Sequence, residues 1–494
     1  MTIRNRVPGW LAVTTGVMLG TAALAAADTR LADAARRGDR QTVQSLLQQR
    51  PGAEAANAPD ADGTSPLHWA AHRNDLEMAD LLLRAGANVH ASNRYGVQPL
   101  VLASASGHAP MIRRLLAAGA DPDTRLNGET VLMTAARSGS VEGVTLLIDR
   151  GAAVNAAEDW RGQTALMWAA SEGHVQVVRT LVAHGAEIPA RSKVGFTALL
   201  FAARQGQIDT ARVLLDAGAN PDDTLRGVAA NTTAGSGPAM AEVGVNAFLI
   251  AAGNAHYQLA AMLLDRGADP NAAPRGWTAL HQVSWVRKAG VAGSNNPAPP
   301  GSGSMDSLEF VRTLVKHGAD INARVTKRPP AGVTRLNMID ATPFLLAART
   351  ADAEYMTLLA ELGADPLATN EDGTTALMIA AGVGTVAPGE DPGTEPEVLE
   401  AVQLALELGN DINAVDHKGE TAMHGAAAKH VPTVVRYLSG AGARIEVWNR
   451  PNDEGFTPLR ITEGVHRGMS IVRSPVTEEA IREVMARAGT SASR

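Results

Sequence analysis

Residues 62–93 read DGTSPLHWAAHRNDLEMADLLLRAGANVHASN, and most later segments are variations on this stretch. Pro66 suits the first position of a helix because its ring already holds a helical φ, and Ser65 before it can cap the free N–H groups of the first turn. Leu67, Trp69, Ala70 and Ala71 fill a short first helix. Met78, Leu81, Leu82 and Leu83 recur at helical spacing in a second, and Gly86 supplies the left-handed residue that ends it. Two short helices cannot bury their own apolar face, so the unit must stack on copies of itself.

Leu67, Leu100, Leu132, Leu166 and Leu199 are separated by 33, 32, 34 and 33 residues. The Gly-Ala stops beginning at Gly86, Gly119, Gly151, Gly185 and Gly218 keep the same period. Ser65-Pro66-Leu67-His68-Trp69-Ala70, with the looser copies Thr164-Ala165-Leu166-Met167-Trp168-Ala169 and Thr278-Ala279-Leu280-His281, resembles the ankyrin repeat, whose signature is T-P-L-H-x-A. The resemblance implies an all-α repeat solenoid of about 11–12 units including caps. It also implies a β-hairpin finger, an inner helix lining a concave surface and an outer helix behind it in each unit.

The chain of 494 residues is 45% hydrophobic, 19% charged and only 3% aromatic. Thin layers that touch only their neighbours favour Ala, Gly and Leu over large rings, which accounts for the low aromatic content. The formal net charge of −7 falls to −9 on loss of Arg4 and Arg6, so a general affinity for nucleic acid is disfavoured. Residues 1–27 read as a secretory signal peptide: Arg4 and Arg6 precede an apolar run from Trp10 to Leu24, and Ala25-Ala26-Ala27 forms a cleavage site. The run is shorter than the ~20 residues of a membrane span, although an uncleaved anchor is the alternative. The sequence holds no cysteine, which excludes disulfides, thiolate metal sites and a cysteine nucleophile. Export without disulfides points to the bacterial periplasm and to a monomer free of stable membrane insertion once the leader is removed, with secretion as the alternative.

Residues 28–60 carry a helix pair without the leading motif and read as an N-terminal cap, polar on its outer side at Arg36, Arg37, Arg40 and Gln41. Residues 61–225 form the regular repeats, 226–452 repeats with insertions at 226–244, 287–304, 326–340 and 382–396, and 453–494 a C-terminal cap and tail. The insertions show as broken spacings. Leu199 to Phe248 takes 49 residues, Leu280 to Gly318 takes 38 against 19 for Leu67 to Gly86, and Gly318 to Phe344 takes 26 against 14.

His68 and His72 at i and i+4 have the spacing of a two-histidine metal site, but no third ligand or H-E-x-x-H pattern accompanies them. In the family that this stretch resembles, the motif histidine ties neighbouring turns together, a role that His281 and His424 inherit. His108 and His174 resemble the family's Gly-His turn. Glu390, Asp391, Glu395 and Glu397 offer hard oxygen ligands for calcium, yet Pro388, Pro392 and Pro396 are expected to hold the segment extended and the EF-hand spacing is missing. No phosphate-binding loop or serine-nucleophile motif occurs. The chain is therefore expected to be non-catalytic and without cofactor or metal.

The resemblance places partner contacts at finger tips and at the two positions after the inner-helix Ala-Ala. Those positions hold His72, Arg73, Arg137, Ser171, Glu172, Arg204, Gln205, Trp285, Val286, Arg349 and Lys429, with Arg94, Tyr95, Trp160, Arg161, Phe196 and Trp277 on fingers. Arginine and large aromatics are the residue types that carry interface energy. Trp69 and Trp168 are expected in the core. The reading is a scaffold that holds a partner protein on a concave surface, roughly ten layers at about 10 Å each. The alternative is a small-molecule or carbohydrate site, possibly catalytic, where the inserted loops fold over that surface with Trp277 and Trp285 as walls.

Overall fold

The computed structural model describes residues 29–226, 244–288, 298–328, 335–385, 388, 391–467 and 470–488. The signal peptide read in residues 1–27, most of the insertion at 226–244, parts of the other three insertions and the tail after 488 lie outside the described residues. Twelve inner–outer helix pairs run through the described residues, from Arg30–Arg37 with Arg40–Gln49 to Pro458–Gly464 with Pro475–Arg487. The fold is an all-α repeat solenoid.

The inner helices are short, 7 residues in Pro66–His72 and 6 in Ala376–Ala381. Isolated helices below ~12–15 residues are marginal in water, so caps and packing must hold them. The caps come from the residue before each helix: Thr130 accepts from Met133 N at 3.3 Å, Asn246 from Leu249 N at 3.0 Å and Thr342 from Leu345 N at 3.3 Å. Gly86 ends its outer helix at φ +90°, where a side chain would be strained.

The chain divides into two compact units, one of residues up to 103 with 110–121, the other of 104–109 with 122 onward. In the first, Leu67, Met78, Leu82, Met111 and Leu115 are fully buried. Asp39 and Asp75 cap the outer helices, and Arg40 pairs with Asp75 at 2.8 Å. His68 uses both ring nitrogens: Nδ1 accepts from Ser65 N at 3.1 Å, and Nε2 donates to Val97 O at 2.8 Å in the next repeat. Asn57 closes the other end of the layer by donating to Gly86 O at 3.0 Å.

In the second unit the inner helices Val131–Arg137, Ala165–Glu172, Ala198–Gln205, Ala247–Gly253, Ala279–Arg287, Pro343–Arg349, Ala376–Ala381 and Ala422–Lys429 pack in succession. Their Ala-Ala pairs, such as Ala135 and Ala136 or Ala347 and Ala348, are completely buried, which lets neighbouring helices approach closely. The bulkiest buried side chains, Tyr355, Phe248, Phe310 and Phe344, all lie in the half that carries insertions. Tyr257 stacks on Phe310 at 5.0 Å, and Tyr355 donates from its hydroxyl to Leu280 O at 2.8 Å. The inter-repeat bonds survive the insertions. Asn155 donates to Gly185 O at 3.0 Å in a regular repeat, and Asn271 donates to Gly318 O at 2.9 Å across an insertion.

The fingers differ from the expected β-hairpins. Only Arg125–Leu126 pairs with Glu129–Thr130 as a ladder among the described fingers, with single bridges at Ala157–Thr164 and Thr224–Asn246. The arms are too short for a row of ladder bonds, and acceptor side chains fold the turns instead. Asn93 Oδ1 accepts from Tyr95 N and Val97 N at 3.0 Å, and Asn452 Oδ1 from Glu454 N at 3.2 Å and Phe456 N at 3.0 Å. Trp448 is buried at the end of a short helix, Ile445–Trp448.

Candidate protein-docking surface

The surface is built from the last turns of inner helices and the tips of fingers. Within the second unit, Arg137 ends the helix Val131–Arg137, where its Nη1 lies 3.2 Å from Glu129 and its guanidinium carbon 4.8 Å from the Trp168 ring centre. Arg204 sits in the last turn of Ala198–Gln205, 5.8 Å above the Phe196 ring, with Gln205 exposed beside it. On the finger between these helices, Arg161 lies 4.1 Å over Trp160, whose ring is 56% exposed. Stacking of this kind contributes about 0.5–1 kcal/mol at exposed sites, enough to bias the arginines toward one orientation without removing their donors from solvent.

Glu158 explains why that finger is well formed. Its buried carboxylate accepts from Trp160 N at 2.7 Å, Arg161 N at 2.8 Å and Gln163 N at 3.0 Å. Burial pushes its pKa up, but these N–H donors, with Lys193 nearby, hold it below the usual carboxylate value. Trp160 and Arg161 are thus presented on a loop fixed from within.

The first unit carries His72, Arg73 and Tyr95. His72 ends the helix Pro66–His72 and meets the edge of Trp69 at 6.4 Å; Arg73 is exposed, and Tyr95 is 66% exposed on its finger. The metal reading of His68 with His72 fails on geometry, because both His68 nitrogens are engaged in hydrogen bonds. The same holds for His281, which bonds Thr278 N and Ala341 O, and for His424, which bonds Thr421 N and Arg450 O. His174 donates to Arg137 O at 2.9 Å and supports the helix end that presents Arg137.

Three expectations change. Trp277 and Trp285 do not wall a ligand pocket; they meet edge-on at 5.7 Å, each half-buried. Arg349 is not an open contact position, since its side chain is only 12% exposed and lies 3.8 Å from Asp391 of the chain's own insertion. Trp69 and Trp168 are half-buried rather than core. The Trp168 ring lies under the Arg137 guanidinium and so supports that surface residue, while its indole Nε1 is buried.

The insertion that ends at 340 does cover a cavity. Arg335 N donates to Gly384 O at 3.1 Å, the Arg335 side chain pairs with Glu454, and Asn337 donates to Asp372 at 3.0 Å. Beneath it, Leu336, Thr385, Asp416 and His424 enclose about 110 Å³. Ligand pockets for drug-sized molecules occupy about 300–1,000 Å³, so this space is too small for a sugar or comparable ligand.

An ankyrin-repeat family model matches residues 31–126, 115–192 and 132–224, three copies in all. Residues 31–224 of the chain are ankyrin repeats. Ankyrin repeats in general are non-catalytic protein-interaction modules, and the chain has the architecture of such a scaffold. Over 125 residues it is 36% identical to a probable E3 ubiquitin-protein ligase, XBOS33, of Oryza sativa subsp. japonica, covering 25% of this chain and 24% of the relative. It is 37% identical over 108 residues to the B-cell lymphoma 3 protein homolog of Mus musculus, covering 22% and 24%. It is also 37% identical over 94 residues to the tyrosine-protein kinase Shark of Drosophila melanogaster, covering 19% and 10%. The chain therefore spans about a quarter or less of the length of these relatives, which differ in their named activities and share the repeat segment. Among the described residues no helix of the ankyrin array is long and apolar enough to cross a membrane.

Proposed function

We propose that this ankyrin protein is a non-catalytic scaffold of the bacterial cell envelope that holds a partner protein against its finger tips and inner-helix ends. The observation that carries the reading is the run of arginines stacked on rings at Arg137, Arg161 and Arg204, set on fingers and helix ends that are fixed from within. His72, Arg73 and Tyr95 offer the corresponding contacts in the first unit. Placement in the periplasm rests on the leader pattern of residues 1–27 and on the lack of cysteine.

Affinity purification from periplasmic extract tests the proposal. The parent chain is expected to retain a partner that Arg137→Ala, Trp160→Ala and Arg204→Ala together release. Retention unchanged by that triple substitution sinks the docking surface, and a protein found only in the cytoplasm sinks the location.

A further inference from the structure

We infer that the segment of the partner held between Arg137 and Arg204 is an acidic peptide, of the same chemistry as a loop that this chain lays over its own later repeats. The inference rests on the proposed docking surface and names what that surface recognises.

Cations occupy the last turn of several inner helices: Arg137, Arg204, Arg349 and Lys429. The helix dipole favours a cation there, so position alone marks no site. The later repeats show what these cations take when a ligand is within reach. Residues 391–397, DPGTEPE, cross the ends of the inner helices. Asp391 approaches Arg349 at 3.8 Å with both side chains nearly buried, and Pro392 O accepts from the Lys429 amine at 2.8 Å. Glu397 pairs with Lys288, the residue that follows the helix Ala279–Arg287. Lys429 is buried in this arrangement, and burial lowers its pKa to about 8. Thr394 caps the helix Glu395–Glu407, whose first turn presents Glu397, so residues 391–394 run as a loop into that helix.

At the helix Ala198–Gln205 an insertion reaches only the backbone, where Ser302 donates to Gly206 O at 3.1 Å, and Arg204 stays exposed. Arg137 is 39% exposed and shares Glu129, while Arg161 and Arg204 lie on rings with no ion pair among the described residues. Lys193, also exposed, lies on the next finger; the acidic groups on this stretch are Glu129, Asp159 beside Trp160, and Glu172 at the end of the intervening helix. Neighbouring inner helices pack about 8–10 Å apart, so Arg137 and Arg204, two layers apart, are separated by roughly 16–20 Å.

The test titrates the protein with a synthetic peptide of residues 387–397, APGEDPGTEPE, and with its amide counterpart APGQNPGTQPQ, reading tryptophan fluorescence up to about 1 mM, the weak end of specific binding. The acidic peptide is expected to bind and to weaken with added salt, and the amide peptide to bind at least about tenfold more weakly. Arg137→Gln, Arg161→Gln and Arg204→Gln together should abolish binding with the circular dichroism spectrum retained. If that variant fails to fold, Glu172→Gln supplies the second reading, since removing a like charge should tighten the acidic peptide about twofold. Equal binding of the two peptides, no binding by either, or indifference to both variants overturns the inference. A partner that is recovered through Arg137, Trp160 and Arg204 but not displaced by the acidic peptide also overturns it and leaves the scaffold reading standing. Failure to recover any such partner counts against the scaffold alone.

Discussion

His281 Nε2 donates to the Ala341 carbonyl at 3.1 Å across 60 residues of sequence, where the equivalent bond from His68 to Val97 spans 29. The insertions have doubled the loop without moving the contact that joins the layers. The bond needs a neutral imidazole, because Nδ1 accepts from Thr278 N. Burial lowers the His281 pKa to about 4, against 6.5 for the free side chain. Above pH 6.5 the contribution is complete. As pH falls from 6.5 to about 4, the unfolded chain takes up a proton that the folded site refuses, and about 3 kcal/mol of stability is lost. His281→Gln should flatten the urea midpoint over that window; a parent and variant that decline in parallel would show that another group governs it.

Glu158→Ala is expected to loosen the finger that carries Trp160 and Arg161. It removes the acceptor of three backbone N–H groups, a loss of about 1–3 kcal/mol concentrated in one loop. Amide hydrogen exchange at Trp160, Arg161 and Gln163 should accelerate while the flanking helices stay protected. Unchanged exchange there would mean that the turn holds itself.

Arg287 reaches Asp352 through Nε at 2.7 Å and Nη2 at 3.2 Å, and Asp352 is 2% exposed. Arg287→Ala strands a buried carboxylate and should cost about 3–5 kcal/mol. Pairing Arg287→Met with Asp352→Leu should recover most of that stability in the same denaturation assay. A double variant as unstable as the single one would assign the loss to packing.

Gly425 sits inside the helix Ala422–Lys429, where Gly→Ala normally stabilises by about 1 kcal/mol. Here an added Cβ would lie 2.6 Å from Val383 N and 3.0 Å from Gly382 N. Overpacking of about 1–3 kcal/mol outweighs the helical gain, so Gly425→Ala should lower the melting temperature. A higher melting temperature would show that the Gly382–Val383 turn can retreat.

The helix pairs were legible because two markers, the motif leucine and the Gly-Ala stop, recur at one period from Leu67 to Gly218. The motif histidines were legible as ties between turns, and His68, His281 and His424 form those bonds. The covering of Arg349 and Lys429 was not. A repeat pattern predicts contacts between neighbouring layers, whereas Lys288 meets Glu397 over 109 residues and Arg335 meets Glu454 over 119. Trp168 was misread as core, although its place two residues after Leu166 puts it roughly 200° around the helix from that buried side chain. The fingers kept their place but not their ladder, because side-chain acceptors such as Asn93 did the work that strand pairing was expected to do.

The ties from Lys288 to Glu397 and from Arg335 to Glu454 alter how the array comes apart. A stack linked only to nearest neighbours peels from its ends one layer at a time. Residues 288–454 are laced across several layers, so under force or partial denaturation they should give way together as one block. Ser302 also reaches Gly206 O across 96 residues, so the repeats between 122 and 205 are the ones that retain the option of fraying singly, and the compliance of the array lies with the arginines they carry.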